Sequence, residues 1–151
     1  MKAGETAPDF ELPDETGKTR ALREFLETGP VVLFFYPAAM TKGCTAESCH
    51  FRDLAAEFAA VGAQRIGISP DAVDKQAEFS EKHSFDFPLL SDTDGAVATR
   101  FGVRRSFGPL LTRRQTFVID TDRKVLEVIK SELRMAVHAD RALAVLRART
   151  P

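Results

Sequence analysis

The sequence predicts an α/β fold, a three-layer sandwich around a central mixed β-sheet, and three observations carry that expectation. Val31-Val32-Leu33-Phe34-Phe35-Tyr36 is a continuous apolar run, the pattern of a strand covered on both faces. Strand-like and helix-like segments then alternate, which places helices against a sheet. Near the C-terminus two strand-like runs flank Thr121-Asp122-Arg123, so a hairpin adds antiparallel pairing and makes the sheet mixed.

Taken in order, the run at 31–36 is followed by a loop from Pro37 to Gly43. From Cys44 the pattern becomes helical: Phe51, Leu54, Ala55, Phe58 and Val61 recur at three and four, and Gly62 stops the run. Arg65 to Ser69 reads as the next strand, and Asp71 or Ser69 is placed to cap a second helix reaching to His83. Phe87 to Ser91 is a short extended piece, and Asp94 to Phe101 a brief helix ending at Gly102. Gln115 to Asp120 and Val125 to Lys130 form the hairpin. A last helix, Ala136 to Arg147, puts Val137, Leu143, Ala144 and Leu146 near one face. A thioredoxin-like arrangement fits this order, and a flavodoxin-like one has the same pattern.

The 151 residues suit one domain, 1–151, with a core that needs no staples. A composition of 44% hydrophobic and 28% charged residues is that of a soluble globular protein. Net charge is −1, which gives no general attraction to nucleic acid or membrane. No apolar stretch reaches the ~18 residues of a membrane span, and Met1-Lys2-Ala3-Gly4-Glu5 lacks a signal-peptide core, so the cytoplasm is the expected compartment. Two cysteines do not make a disulfide scaffold; catalytic, metal-binding and inert roles are open to them.

Cys44 lies where the first strand's loop meets a helix start, the usual place for a site in an open α/β sheet. Free amides and the helix dipole favour a negative group there, and a thiolate is one. A free thiol with a pKa about 8.5 is only ~3% ionised at neutral pH, and bringing it to about 6 needs ~3.4 kcal/mol. A helix start offers roughly 0.3–2 kcal/mol and one charge-assisted hydrogen bond about 1.5–3. The helix falls short alone, so a cation is required as well. Cys44 is on the inward stripe with Phe51, whereas Cys49 is rotated by about 140° toward Arg52, Asp53 and Ala56. The helical rise between them is ~7.5 Å, beyond disulfide reach while the turns are intact, so pairing requires unwinding. Two further readings stand beside this one: both cysteines as small buried hydrophobes, or Cys44, Cys49 and His50 as metal ligands.

With these residues in view, the sequence resembles the peroxiredoxins, and within them the bacterioferritin-comigratory or peroxiredoxin Q group. The family's Pro-x-x-x-Thr-x-x-Cys is present as Pro37 to Cys44, followed by Cys44-Thr45-Ala46-Glu47-Ser48-Cys49 and Phe51-Arg52-Asp53. Gly4 to Phe10, Gly67 to Asp71, Phe87 to Asp92 and Arg114 to Asp120 are similar as well, so the likeness spans nearly the whole chain. The resemblance implies a peroxidatic thiolate at Cys44 and a resolving thiol at Cys49, which closes an intramolecular disulfide. It implies that Thr41 accepts a hydrogen bond and donates to the peroxide, that Pro37 shields the pocket, and that the Gly43 and Cys44 amides hold substrate oxygens. It makes Arg114 the required cation, with Glu47 orienting it. Thioredoxin or glutaredoxin is the implied reductant of a hydroperoxidase that needs no metal, haem or flavin.

Ala38-Ala39-Met40 and Lys42 depart from the group's more polar pattern and predict an apolar rim suited to bulkier organic hydroperoxides. The compact Arg104 to Arg113 loop is another departure; with no late cysteine and Tyr36 as the single tyrosine, a monomer is expected rather than a disulfide-linked dimer. His50, His83 and His138 read as surface or helix residues outside the chemistry. Arg104, Arg105 and Arg113 read as a solvated loop, or as a dock for an acidic reductase. Two other functions fit the cysteine pair: a redox sensor that does not turn over, and a thioredoxin-like disulfide reductase, although Cys-x-x-Cys is absent.

Overall fold

The computed structural model describes residues 1–108 and 110–149. Its elements are β1 (Glu11–Pro13), β2 (Thr19–Ala21), α1 (Leu22–Leu26), β3 (Val31–Phe35), α2 (Lys42–Asp53), α3 (Ala55–Ala60), β4 (Gln64–Ser69), α4 (Val73–His83), β5 (Leu89–Ser91), α5 (Ala96–Arg100), β6 (Gln115–Ile119), β7 (Val125–Lys130) and α6 (Met135–Ala148). The main sheet has the order β5-β4-β3-β6-β7. β3 pairs parallel with β4, and β4 with β5, whereas β6 is antiparallel to both β3 and β7. The antiparallel β6 separates this sheet from the all-parallel flavodoxin-like alternative.

The apolar run at 31–36 is central and buried throughout, because both faces of the sheet are covered. Val31, Leu33 and Phe35 join a core with Leu22 and Phe25 of α1, Val97 of α5, and Phe101. Val32, Phe34 and Tyr36 point the other way, into a core with Phe51, Phe58, Phe79 and Leu143 from α2, α3, α4 and α6. These two cores make the three layers. Gly67 of β4 lies opposite Phe34, and a Cβ there would sit 2.9 Å from the Phe34 ring. The missing side chain leaves room for Phe34 to stack on Phe51 at 4.2 Å, which seats α2 on the sheet.

The structure departs from the sequence pattern in four places. The helix expected from Cys44 to Val61 begins at Lys42 and is two helices, broken at Leu54. Arg65 supplies the reason: its Nη1 donates to the Phe51 carbonyl at 2.8 Å, taking the acceptor that the amide of residue 55 would otherwise use. Neither Asp71 nor Ser69 caps α4, whose N-cap is Ala72 without a side-chain bond. The buried face of α6 is His138, Ala139, Ala142, Leu143 and Leu146, so Ala144 is exposed. Finally, β1, β2 and α1 have no counterpart in the pattern, since three-residue strands and a five-residue helix are too short to show a period.

The close fit at Gly67 yields the first prediction. Gly67→Ala forces the added methyl against the Phe34 ring, and a cost of about 1–3 kcal/mol is expected from overpacking. A melting temperature equal to that of the wild type would show that Phe34 has slack there.

Candidate active site

β3 delivers the chain at Tyr36 to the loop that leads into α2, and several bonds fix that loop. The Tyr36 hydroxyl donates to Gln76 Oε1 at 2.6 Å, and the Gln76 amide donates to Ser69 Oγ at 2.8 Å and the Leu90 carbonyl at 2.9 Å. Asp71 accepts from the Ala39 amide at 2.7 Å and the Ser69 hydroxyl at 2.6 Å, so it clamps the loop instead of capping a helix. Pro37 is buried, and Met40 holds a φ of 69°, a left-handed turn immediately before α2. Thr41 is the N-cap of α2, but its exposed hydroxyl donates to the Ala38 carbonyl at 2.7 Å and bonds no helix amide. The amides of the first helical turn, which include Gly43 and Cys44, therefore have no capping side chain.

Cys44 is fully buried in that first turn. Arg114, the residue before β6, is 5% exposed and reaches across to it. Its Nη2 donates to Cys44 Sγ at 3.3 Å and its Nη1 to Glu47 Oε1 at 2.6 Å. The Arg114 amide in turn donates to Glu132 Oε2 at 2.9 Å. Gly43 makes the approach possible: a Cβ on it would lie 3.2 Å from Arg114 Nη2 and 3.4 Å from Met135 Cε. Burial works against the guanidinium charge, but Glu47 and Cys44 beside it outweigh burial and raise its pKa. Arg114 is a fixed cation.

Glu47 is also fully buried, and burial pushes its carboxyl up to about 8 against the pull of Arg114. Its second oxygen lies 3.6 Å from Nδ1 of His138. His138 is thus no surface residue: it is wholly buried, with Nδ1 2.7 Å from the Thr116 hydroxyl and Nε2 2.8 Å from the Ser131 carbonyl. The available signal was its place on the stripe of Ala139, Ala142, Leu143 and Leu146. His50 is half-exposed and meets Asp140 at 2.7 Å, and His83 packs on Phe79 and Phe85.

The structure brings Cys44, Glu47, Arg114 and Gly43 together. Cys49 lies apart from them, further along the intact α2, and both cysteines are free thiols. Partial burial pushes the Cys49 thiol up, with Arg52 opposing. Arg104 donates to the Asp94 carbonyl and Arg105 pairs with Glu132 at 3.4 Å, so two of the loop arginines serve local contacts. Among the described residues no group of three His, Cys, Asp or Glu side chains is arranged to hold a metal ion, and no helix is long and apolar enough to cross a membrane.

A buried sulfur beside a permanent cation, at a helix start on a mixed α/β sheet, defines a thiol-based redox site. The AhpC/TSA family model matches residues 3–128. The chain is 36% identical to peroxiredoxin Bcp of Bacillus subtilis over 97% of its own length and 96% of the relative's. The crystal structure of peroxidoxin BcpB from Mycobacterium tuberculosis superposes with a TM-score of 0.96 at 62% identity, covering 100% of this chain and 99% of that one. The bacterioferritin comigratory protein of Xanthomonas campestris, in a study of its alkyl peroxide reduction activity, gives 0.83 at 34% identity over 92% and 90% of the two chains. The chain belongs to the AhpC/TSA family, with the thioredoxin-like fold of its peroxiredoxins. It is a thiol-dependent peroxidase.

The raised carboxyl makes a prediction about stability. An unfolded Glu47 ionises near the ordinary carboxyl value of 4.5 and the folded one only near 8, so between them the folded state holds the extra proton. Its stabilising contribution is complete below the lower value and is lost as pH rises through the upper. Glu47→Gln does not titrate, so its melting temperature relative to wild type should climb from pH 5 to pH 8. A difference independent of pH would show that Glu47 is ionised in the fold.

Proposed function

We propose that Cys44 is the peroxidatic sulfur, that Cys49 resolves it, and that an external dithiol of the thioredoxin or glutaredoxin kind completes the cycle. The observation that carries this is the 3.3 Å bond from Arg114 Nη2 to Cys44 Sγ in a buried pocket. A charge-assisted bond contributes about 1.5–3 kcal/mol and the helix start roughly 0.3–2, together the scale needed to hold a thiol as a thiolate near neutral pH. No side-chain base is needed, which accords with the absence of any histidine within bonding reach of Sγ among the described contacts.

The ionised sulfur attacks the terminal oxygen of the hydroperoxide. The S–O bond forms and the O–O bond breaks; the sulfur loses two electrons and becomes a sulfenic acid, while the leaving oxygen takes a proton and departs as water or alcohol. Arg114 stabilises charge on the sulfur and on the departing oxygen, and the first-turn amides of Gly43 and Cys44 offer further donors. Thr41 gives its hydrogen to the Ala38 carbonyl, so toward a peroxide O–H it presents lone pairs. Glu47 holds Arg114 from the far side.

Cys49 then attacks the sulfenic acid, the S–S bond forms, and water leaves. Both cysteines lie in one unbroken helix, five residues apart, so this step requires the first turns of α2 to open. Partial burial keeps Cys49 protonated until that opening. The cytoplasm is a compartment in which the resulting disulfide would be reduced again. Ala38 and Met40, both half-buried, give the rim an apolar character that suits organic hydroperoxides, while Ala39 is buried in the core.

The test is peroxide consumption with a dithiol present, together with intact mass after one equivalent of oxidant. Cys44→Ser is expected to abolish turnover. Cys49→Ser should stop after one turnover with a sulfenic acid, or a mixed disulfide, on Cys44. A Cys44→Ser variant that still consumes peroxide would end the proposal, and single-turnover behaviour in the wild type would favour the sensor reading.

A further inference from the structure

Two acids share one cation in this pocket. Arg114 gives Nη2 to Cys44 Sγ and Nη1 to Glu47 Oε1, and neither acid side chain is exposed. Were both ionised, the pocket would carry a net negative charge out of water, an arrangement that proteins avoid by taking up a proton. Oε1 accepts from Arg114, so the second oxygen of Glu47 is the one left for that proton. Oε2 is buried, has no hydrogen-bond partner, and faces His138 Nδ1 at 3.6 Å.

The tautomer of His138 follows from its other nitrogen. Nε2 lies 2.8 Å from the Ser131 carbonyl, which only accepts, so Nε2 bears the hydrogen. Nδ1 then carries a lone pair, which accepts from the Thr116 hydroxyl at 2.7 Å. A second proton on His138 is opposed by burial and by the Arg114 charge. Nδ1 therefore has no hydrogen to give an ionised Oε2, which would stand as an unpaired buried charge. The charged and titratable groups around Glu47 are Cys44 on its own helix, Arg114 ahead of β6, His138 on α6, and Glu132 in the segment after β7. Glu132 is a further anion that favours the neutral acid.

We infer that Glu47 is the proton store of the site: it is neutral while Cys44 is a thiolate, and it gives up its proton when attack on the peroxide discharges the sulfur. This rests on the peroxidase reading. The balance is one thiolate, one hydroperoxide and one carboxylic acid going to one sulfenic acid, one water or alcohol, and one carboxylate. The Arg114 charge is then paired first with the sulfur and afterwards with Glu47, so the guanidinium is compensated throughout. Glu47 does not touch the reacting atoms: its proton passes to water and the departing oxygen takes one from water, which leaves the sum unchanged. It is a positioning residue whose protonation is coupled to the sulfur by charge, and the Arg114 bond to Oε1 leaves Oε2 to hold the hydrogen.

Infrared difference spectra of the whole protein, reduced minus hydrogen-peroxide-oxidised, read this directly. Near neutral pH the reduced wild type should show the carbonyl stretch of a protonated carboxylic acid, lost on oxidation and missing from Glu47→Gln. Should that variant not fold, Cys44→Ser serves instead: with no thiolate, Arg114 pairs with Glu47 and the band should be absent. A second readout is kcat/KM against pH. Ionising Glu47 near 8 draws Arg114 from the sulfur, so the wild-type value should fall by up to roughly tenfold from pH 7 to pH 9, and Glu47→Gln should lack that fall. Peroxide turnover without the band in the reduced wild type, or a band that persists in Glu47→Gln, overturns the proton store alone. Absence of turnover and of any Cys44 oxidation overturns the peroxidase reading beneath it.

Discussion

One guanidinium, closed off from water between a sulfur and a carboxyl group, is the constraint to which the rest of the structure answers. Charge in a buried pocket is tolerated only when compensated, and Arg114 supplies a compensating charge that is never lost. Its placement depends on several elements at once. β6 carries it to the edge of the pocket, Glu47 of α2 holds one nitrogen, Glu132 holds its backbone, and Gly43 leaves the space through which it reaches Cys44. The stack of Phe34 on Phe51, permitted by Gly67, sets α2 against the sheet so that this reach is short.

The same geometry explains how one helix can serve two opposed demands. Attack on peroxide needs Cys44 held still beside Arg114 at an intact helix start. The proposed disulfide closure would need Cys44 and Cys49 to meet, which an intact α2 forbids. A helix whose N-cap side chain bonds elsewhere, and which ends after three turns because Arg65 captures the Phe51 carbonyl, is a short unit whose first turns precede the Phe51 that anchors it to the sheet. The contacts of α6 with α2, through Met135 beside Gly43 and Asp140 on His50, mark where that opening must break bonds.

Much of this was legible in the sequence for identifiable reasons. The central strand announced itself because a run buried on both faces has no polar interruption, and the hairpin because its turn is local. The need for a cation followed from comparing what a helix end supplies with what ionising a thiol requires, and Arg114 was named through the family pattern rather than from spacing. What escaped was nonlocal. The break at Leu54 is made by an arginine eleven positions later. Asp71 looked like a helix cap and instead clamps the loop at Ala39. His138 reads as a surface or helix residue and does lie on α6, but its burial escaped because its partners, Thr116, Ser131 and Glu47, come from three other parts of the chain.

The account stands on the Arg114 contact, and the rate at which Cys44 reacts with hydrogen peroxide measures it most directly. In a Cys49→Ser background, replacing Arg114 by Met keeps most of the side-chain volume and removes the charge. Loss of one such preorganised donor is expected to slow the reaction by about 100-fold or more. A rate within a factor of about two of the parent would contradict the account, since about 0.4 kcal/mol is too little for the cation on which it rests.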